Sequence, residues 1–155
     1  MIDTMDIYRA LKETLTENFE DIPVQTKDIK NPAPPCFYIR LAADNTAQTA
    51  DFFETSTYSF AVIYFSQEET ILDLLTIKEQ LKTLFQKPLA VSAYDDEEEI
   101  NYVEINNVSA DINEDDYILT CMLEIEHTQT LAAERFESEN EEYIESVNLN
   151  INGNF

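Results

Sequence analysis

Hydrophobic positions near the N-terminus recur at the spacing of an α-helix. The apolar side chains fall every four residues, at Ile7, Leu11 and Leu15. That spacing places them on one helix face, which packs on a core. Asp3 or Thr4 can cap the exposed amide groups, and Pro23 ends the segment. We therefore predict a first helix over about residues 4–20.

Two stretches in the first half have the composition of strands. Cys36–Leu41 is rich in aromatic and β-branched residues, and Phe52–Phe65 alternates apolar with polar positions. Towards its end the second stretch is apolar on both faces, which predicts a central strand covered on both sides. Residues 42–51 are small and polar, so we predict a loop there. The prolines of residues 23–35 predict a loop or a protected sheet edge.

The segment after Phe65 predicts the second helix. Ser66 and Glu69 have the spacing of a capping box, in which each side chain satisfies a free amide of the other residue. The helix runs to about Phe85, and seven apolar side chains fall on about half of its circumference: Ile71, Leu74, Leu75, Ile77, Leu81, Leu84 and Phe85. Lys78 falls inside this apolar half. Either its stem packs while its amine reaches solvent, or it forms a salt bridge across a contact between subunits.

Further strands are predicted in the second half of the chain. Leu89–Tyr94 reads as a strand, and Asp95–Glu99 as an exposed acidic turn. Tyr102–Ile112 and Tyr117–Thr128 are predicted to form a long antiparallel hairpin with an acidic tip. The fold class is therefore α+β, a mainly antiparallel sheet packed with two helices.

An acidic extension follows the predicted domain of residues 1–128. Residues 129–155 begin with a polar spacer and end in an alternating pattern, predicted to be a strand, in which Val147, Leu149 and Ile151 are separated by asparagines. The strand can join the sheet of its own domain. It can also be donated to a neighbouring chain, which makes these three side chains, with Lys78, candidate interface residues. The long spacer and the lack of charge after Glu145 favour donation.

Charge and length limit the class of protein. A chain of 155 residues fits one domain, and its net charge of −23 repels phosphate backbones and anionic membranes. Most of this charge lies in residues 88–155, which hold 18 acidic residues and a single basic one, Arg135. We expect no sequence-specific binding of nucleic acid and no membrane partner. No apolar run approaches the length of a membrane span, and the N-terminus does not read as a signal peptide.

Glycine and cysteine usage removes several kinds of site. Gly153 is the one glycine of the chain, so the glycine-rich turns of phosphate-binding loops and of many hydrolases cannot be built. Cys36 and Cys121 are far apart and lie in apolar runs, which predicts buried reduced thiols. No cofactor is expected.

The sequence gives little support for a metal site or a catalytic site. Residues 111–115 match the opening of a calcium-binding EF-hand loop, but Asp116 stands where glycine is needed and Met122 where a bidentate glutamate is needed. A solvated hairpin tip is the better interpretation. His127 is the one histidine, and nothing in the sequence places a nucleophile beside it. We therefore predict that the protein is not an enzyme.

These segments together resemble the phage tail terminator family. The resemblance is carried by Ile7–Leu11, by Pro35–Leu41, and by Tyr58–Phe65 with the leucine-rich helix after it. It covers most of residues 4–128 and consists of hydrophobic patterns, without catalytic residues.

The resemblance implies a structural protein that forms a ring, usually of six copies, on the finished tail tube. Such a ring stops tube polymerisation and presents a surface to the head–tail connector. Its partners would be itself, the tube protein and the connector protein, in the host cytoplasm during assembly and then in the virion tail. The charge leaves an alternative open, an acidic protein that mimics nucleic acid and binds a basic partner.

Overall fold

A computed structural model describes residues 2–27, 30–50, 52–93 and 96–130. These residues divide into two units. The first takes the described residues up to Asn45 and from Ser56 to His127, and the second takes those from Thr46 to Thr55 and from Thr128 to Thr130. The predicted terminal strand lies outside the described residues.

The architecture is α+β, as the sequence predicts. The elements in chain order are α1 (Thr4–Asn18), β1 (Cys36–Ala50), β2 (Phe53–Phe65), α2 (Ile71–Leu84), β3 (Leu89–Ala93), β4 (Asp96–Val103), β5 (Ile105–Asn113) and β6 (Ile118–Thr130). Four strands form one sheet in the order β1-β2-β6-β5, and β3 and β4 form a second, two-stranded sheet. The pairs β3–β4 and β5–β6 are antiparallel.

Helix α1 forms where the four-residue spacing predicts it. Asp3 is its N-cap: the Asp3 and Asp6 side chains each accept a hydrogen bond from the other residue's backbone amide, which makes a capping box. Ile7, Leu11 and Leu15 are fully buried, and the helix packs against β3. Asp6, itself buried, accepts a hydrogen bond from the Arg9 guanidinium at 3.0 Å.

The core joins both helices to the sheets. Its largest fully buried side chains are Phe37, Phe60, Phe85, Ile7, Leu11, Leu15, Leu74, Leu81, Leu119, Leu123, Ile125 and Val62. Strand β2 lies between β1 and β6, which confirms its predicted central place. Three successive residues, Phe60 to Val62, are buried there, as expected for a strand apolar on both faces.

The predicted loop over residues 42–51 is wrong. Strand β1 continues to Ala50, although the described side chains from Leu41 to Thr49 are all exposed. A strand needs only a backbone ladder to its neighbour, so small polar side chains do not end it. Within the second unit, the hydroxyl groups of Thr55 and Thr128 lie 2.8 Å apart and form a hydrogen bond.

The predicted strand Tyr102–Ile112 is two strands. It is interrupted at Glu104, so its first residues belong to β4 and the remainder to β5, in different sheets. The acidic turn predicted at Asp95–Glu99 is also wrong in large part, because β4 begins at Asp96. Pairing with β3 draws these acidic residues into a strand although their side chains disfavour one.

Helix α2 begins later than the capping-box pattern predicts. The Ser66 hydroxyl does accept a hydrogen bond from the Glu69 amide, but Glu69 has a φ of 52° and lies outside the helix. Thr70 is the N-cap, and its hydroxyl accepts a hydrogen bond from the Asp73 amide at 3.1 Å. The predicted capping box is therefore wrong, whereas the predicted end near Phe85 is confirmed.

The acidic hairpin tip is held by one asparagine. The Asn113 side-chain oxygen accepts hydrogen bonds from the amides of Asp115 and Asp116 at 3.1 and 3.2 Å. These bonds form an Asx turn, in which one side chain shapes the tip by accepting hydrogen bonds from the backbone. Strands β5 and β6 pair on either side of the tip, as predicted.

Candidate interaction surface

The two outer strands of the four-stranded sheet are β1 and β5, and they differ in how their edges are covered. The start of β1 is bridged by Val24, where the Phe37 amide donates to Pro23 and its carbonyl accepts from Gln25. The strand predicted at Val24–Lys27 is reduced to this single bridge. Among the described residues, β5 has one sheet neighbour, β6.

Strand β5 carries little charge. Asp111 is its one charged residue, in a half of the chain where acidic residues abound. Edge strands are commonly protected from unwanted pairing by charged side chains, proline or short length. With nine residues, no proline and one charge, β5 lacks these devices and can accept another strand.

A pocket of about 210 Å³ lies beside this strand. It is lined by Lys78, Lys82, Val108, Ser109, Ala110 and Cys121. The Lys78 side chain is 34% exposed and its amine lies 3.8 Å from a Glu79 carboxylate oxygen. The stem therefore packs at the pocket while the amine reaches the surface, which is the first of its two predicted roles. Its role in a contact between subunits remains a prediction.

The first turn of α2 is anchored to β2 by a partly buried hydrogen-bond cluster. One Asp73 carboxylate oxygen accepts bonds from the Tyr64 hydroxyl at 2.7 Å and from the Ser66 hydroxyl at 2.6 Å. Burial, together with the Asp73 carboxylate, raises the pKa of Tyr64 well above its ordinary value. This cluster fixes the helix that carries the two pocket lysines.

The raised pKa of Tyr64 predicts how stability changes in alkali. Below about pH 10 this phenol is protonated in both states, so its stabilising effect is fully present. Above that pH the unfolded chain releases the proton while the folded chain keeps it, and stability falls. The variant Tyr64→Phe should lose roughly 1–3 kcal/mol near neutral pH through the missing hydrogen bond.

Thermal melts between pH 7 and pH 11 check this expectation. The difference in melting temperature between the unaltered chain and the Tyr64→Phe variant should become smaller above about pH 10. Tyr102→Phe is the matched control, since Tyr102 is 71% exposed, and it should follow the unaltered chain. A difference in melting temperature that stays constant or grows in alkali would contradict the raised pKa of Tyr64.

Apolar side chains are exposed on the first turns of α2. Leu72 is 75% exposed, Leu75 42% and Ile71 37%. The sequence assigned Ile71 and Leu75 to the buried half of this helix, but burial is confined to Leu74, Ile77, Leu81 and the capping Phe85. An exposed apolar cluster of this kind is typical of a surface that contacts another protein.

The candidate chemical groups are not brought together. Within the described ranges, no three His, Cys, Asp or Glu side chains are grouped so that they could hold a metal ion. His127 lies near the end of β6 and is partly exposed. Cys36 and Cys121 are buried free thiols, as predicted, and burial raises the pKa of Cys121 to about 11. None of the described helices is long and apolar enough to cross a membrane.

Of the four predicted interface residues, the structure describes Lys78, at the pocket beside β5. Val147, Leu149 and Ile151 lie outside the described residues. Sequence reasoning did not single out the β5 edge or Lys82. In the sequence, the β5 edge is marked by the uncharged run from Ile105 to Ala110. The predicted single strand Tyr102–Ile112 conceals this run because it also contains Glu104.

Comparison with known proteins shows which family this sequence matches. The sequence model described as phage tail terminator protein matches residues 6–135. No curated protein matches the chain. One solved structure, of a protein without a descriptive name, is 12% identical, covers 82% of this chain and 92% of its own, and has a TM-score of 0.41. A likeness at that level carries no argument.

Proposed function

Because the chain belongs to the phage tail terminator family, we propose that it caps the finished tail tube as an oligomeric ring and stops the tube from growing. The observation that carries this proposal is the family match over residues 6–135. The family is structural, so the protein is a component of the phage tail and contacts other tail or virion components. We expect a ring of six copies and no catalytic role.

The surface of the subunit supports self-association. A ring needs two different surfaces on each copy, because head-to-tail contacts close a circle where a symmetric contact gives a dimer. The β5 edge and the apolar cluster of Ile71, Leu72 and Leu75 are two such candidates. Each could be covered by a neighbouring copy or by the tube protein.

The second part of the proposed role is the joining of head and tail. One side of the ring would rest on the tube protein, and the other would meet the connector protein of the head. The net charge of −23 suits a ring through which DNA passes, since an acidic lumen repels phosphate instead of binding it. Assembly would take place in the host cytoplasm, before the protein becomes part of the virion tail.

Deletion of the gene tests this function. Without a cap, tube polymerisation has no stop, so we expect tails of uncontrolled length that do not join heads. Electron microscopy of purified particles measures the length distribution, and a strain complemented with the unaltered gene is the control. Tails of normal length on complete particles in the deletion strain would contradict the proposal.

The alternative, an acidic mimic of nucleic acid, rests on net charge alone. That charge is equally compatible with a ring, whereas the family match favours the tail. A stoichiometric complex between the monomer and a DNA-binding enzyme would favour the mimic.

A further inference from the structure

We propose that the β5 edge of one subunit binds the C-terminal strand, residues 147–152, of the neighbouring subunit. The inference deepens the proposed ring and rests on it, because it names the contact that joins consecutive copies. The incoming strand would extend the sheet order β1-β2-β6-β5 by one position. Pairing by strand addition takes its affinity from backbone hydrogen bonds and its specificity from alternate side chains.

Charge makes these two segments suitable for each other. In a chain of net charge −23, most pairs of surfaces on identical copies repel. Residues 105–110 carry no charge, and neither do residues 146–155. Pairing two uncharged stretches between copies avoids the repulsion that a contact between acidic stretches would meet.

The side-chain pattern of β5 fits that of the incoming strand. Val108, Ala110 and Ile112 lie opposite Leu123, Cys121 and Leu119 of β6, so they share one face. On that face Val108 and Ile112 pack against the core, whereas Ala110 is exposed at the pocket. Residues on a strand alternate between faces. A strand added beside β5 would therefore continue the apolar face with Val147, Leu149 and Ile151. Its asparagines would continue the opposite, exposed face, on which Asn107 and Ser109 lie.

The pocket beside β5 offers both space and opposite charge. Its volume of about 210 Å³ lies between α2 and the edge strand, where an apolar side chain of an added strand would enter. Lys78 and Lys82 line this pocket. The segment that precedes the terminal strand is rich in glutamate, from Glu134 to Glu145. When the strand binds, the two lysines would attract these carboxylates.

The connection before the terminal strand is long enough to reach a neighbouring copy. Sixteen residues separate Thr130, the end of β6, from Val147. Fully extended they span at most roughly 55 Å. A strand added antiparallel to β5 in its own sheet would run parallel to β6, and such a connection needs about a dozen or more residues. The spacer is also long enough to reach the β5 edge of a neighbouring copy, and cross-linking separates the two routes.

Disulfide trapping between two variants, each with one added cysteine, tests the contact. One full-length protein carries Ser109→Cys on the exposed face of β5, and the other carries Asn148→Cys, Asn150→Cys or Asn152→Cys in turn. The native cysteines are buried and stay in place. Mixing the two proteins under mild oxidation should give a cross-linked heterodimer with at least one partner, and a bond between the two added cysteines can only join different chains.

Matched controls separate pairing from chance collision. Thr16→Cys, exposed on α1, replaces Ser109→Cys and should give no heterodimer. Ala110→Glu, added to the Ser109→Cys protein, places a carboxylate at the pocket and should abolish the cross-link while the monomer melt is retained. Ala110 is exposed, so the substitution buries no charge.

Two results would overturn the inference. The first is the absence of a heterodimer with all three partners. The second is an internal cross-link in a chain carrying both cysteines, with no heterodimer from the mixture, which would mean that the strand returns to its own sheet. Either result combined with uncontrolled tails in the deletion strain would leave the proposed function standing. Heterodimers combined with normal tails in the deletion strain would instead contradict the proposed function and leave the contact between subunits standing.

Discussion

Removal of residues 143–155 is expected to abolish assembly while the rest of the chain stays folded. In the donated-strand proposal the terminal strand packs on the neighbouring copy, so the truncation leaves the described core from Ile2 to Ile125 in place. The melting temperature of the monomer should therefore stay within about 3 °C of the full chain. Assembly should be lost, because burial of Val147, Leu149 and Ile151 is worth roughly 1.5–3 kcal/mol for each side chain.

Melting curves, together with light scattering or sizing of the assembled protein, measure the two effects separately. A full-length variant in which Val147, Leu149 and Ile151 are all replaced by Asn should behave like the truncation. The matched control replaces Asn148, Asn150 and Asn152 by Ser and should still assemble. A drop of many degrees in the melting temperature of the truncated monomer would mean that the strand belongs to its own domain.

The largest loss of stability is expected from Phe37→Ala. Phe37 is fully buried, and its ring contacts Phe19 edge-on at 5.0 Å between centroids and Tyr64 at 5.4 Å. It thus joins the end of α1, the start of β1 and the central strand. Removing such a ring costs about 3–5 kcal/mol, a large part of the roughly 5–15 kcal/mol that keeps a domain folded.

Thermal or urea unfolding measures this loss. The melting temperature should fall by roughly 10–20 °C. Tyr102→Ala is the matched control: it also removes an aromatic ring from a strand of the first unit, but the ring is 71% exposed, so the change should be within about 0.5 kcal/mol. An equal loss of stability in the two variants would show that burial of Phe37 is not what holds these elements together.

Helix α1 and strand β2 could be predicted from the sequence because local pattern and tertiary burial agree there. The four-residue spacing of Ile7, Leu11 and Leu15 has one structural solution, and the packed helix uses it. The apolar run of β2 likewise requires a place between other strands. Patterns of this kind are dictated by the hydrophobic effect, which acts on each side chain separately.

The sequence determined the α+β class, the two helices, the hairpin with its acidic tip, and the neutral terminal strand pattern. Tertiary structure decided the length of β1 and the division of residues 102–112 at Glu104. It also decided the start of α2 and the exposure of Ile71 and Leu75. The two strand features depend on which backbone segments pair, and a ladder forms between segments far apart in the chain whatever their own propensity. The β5 edge and its pocket became visible for the same reason, since a strand is an edge only when the whole sheet order is known.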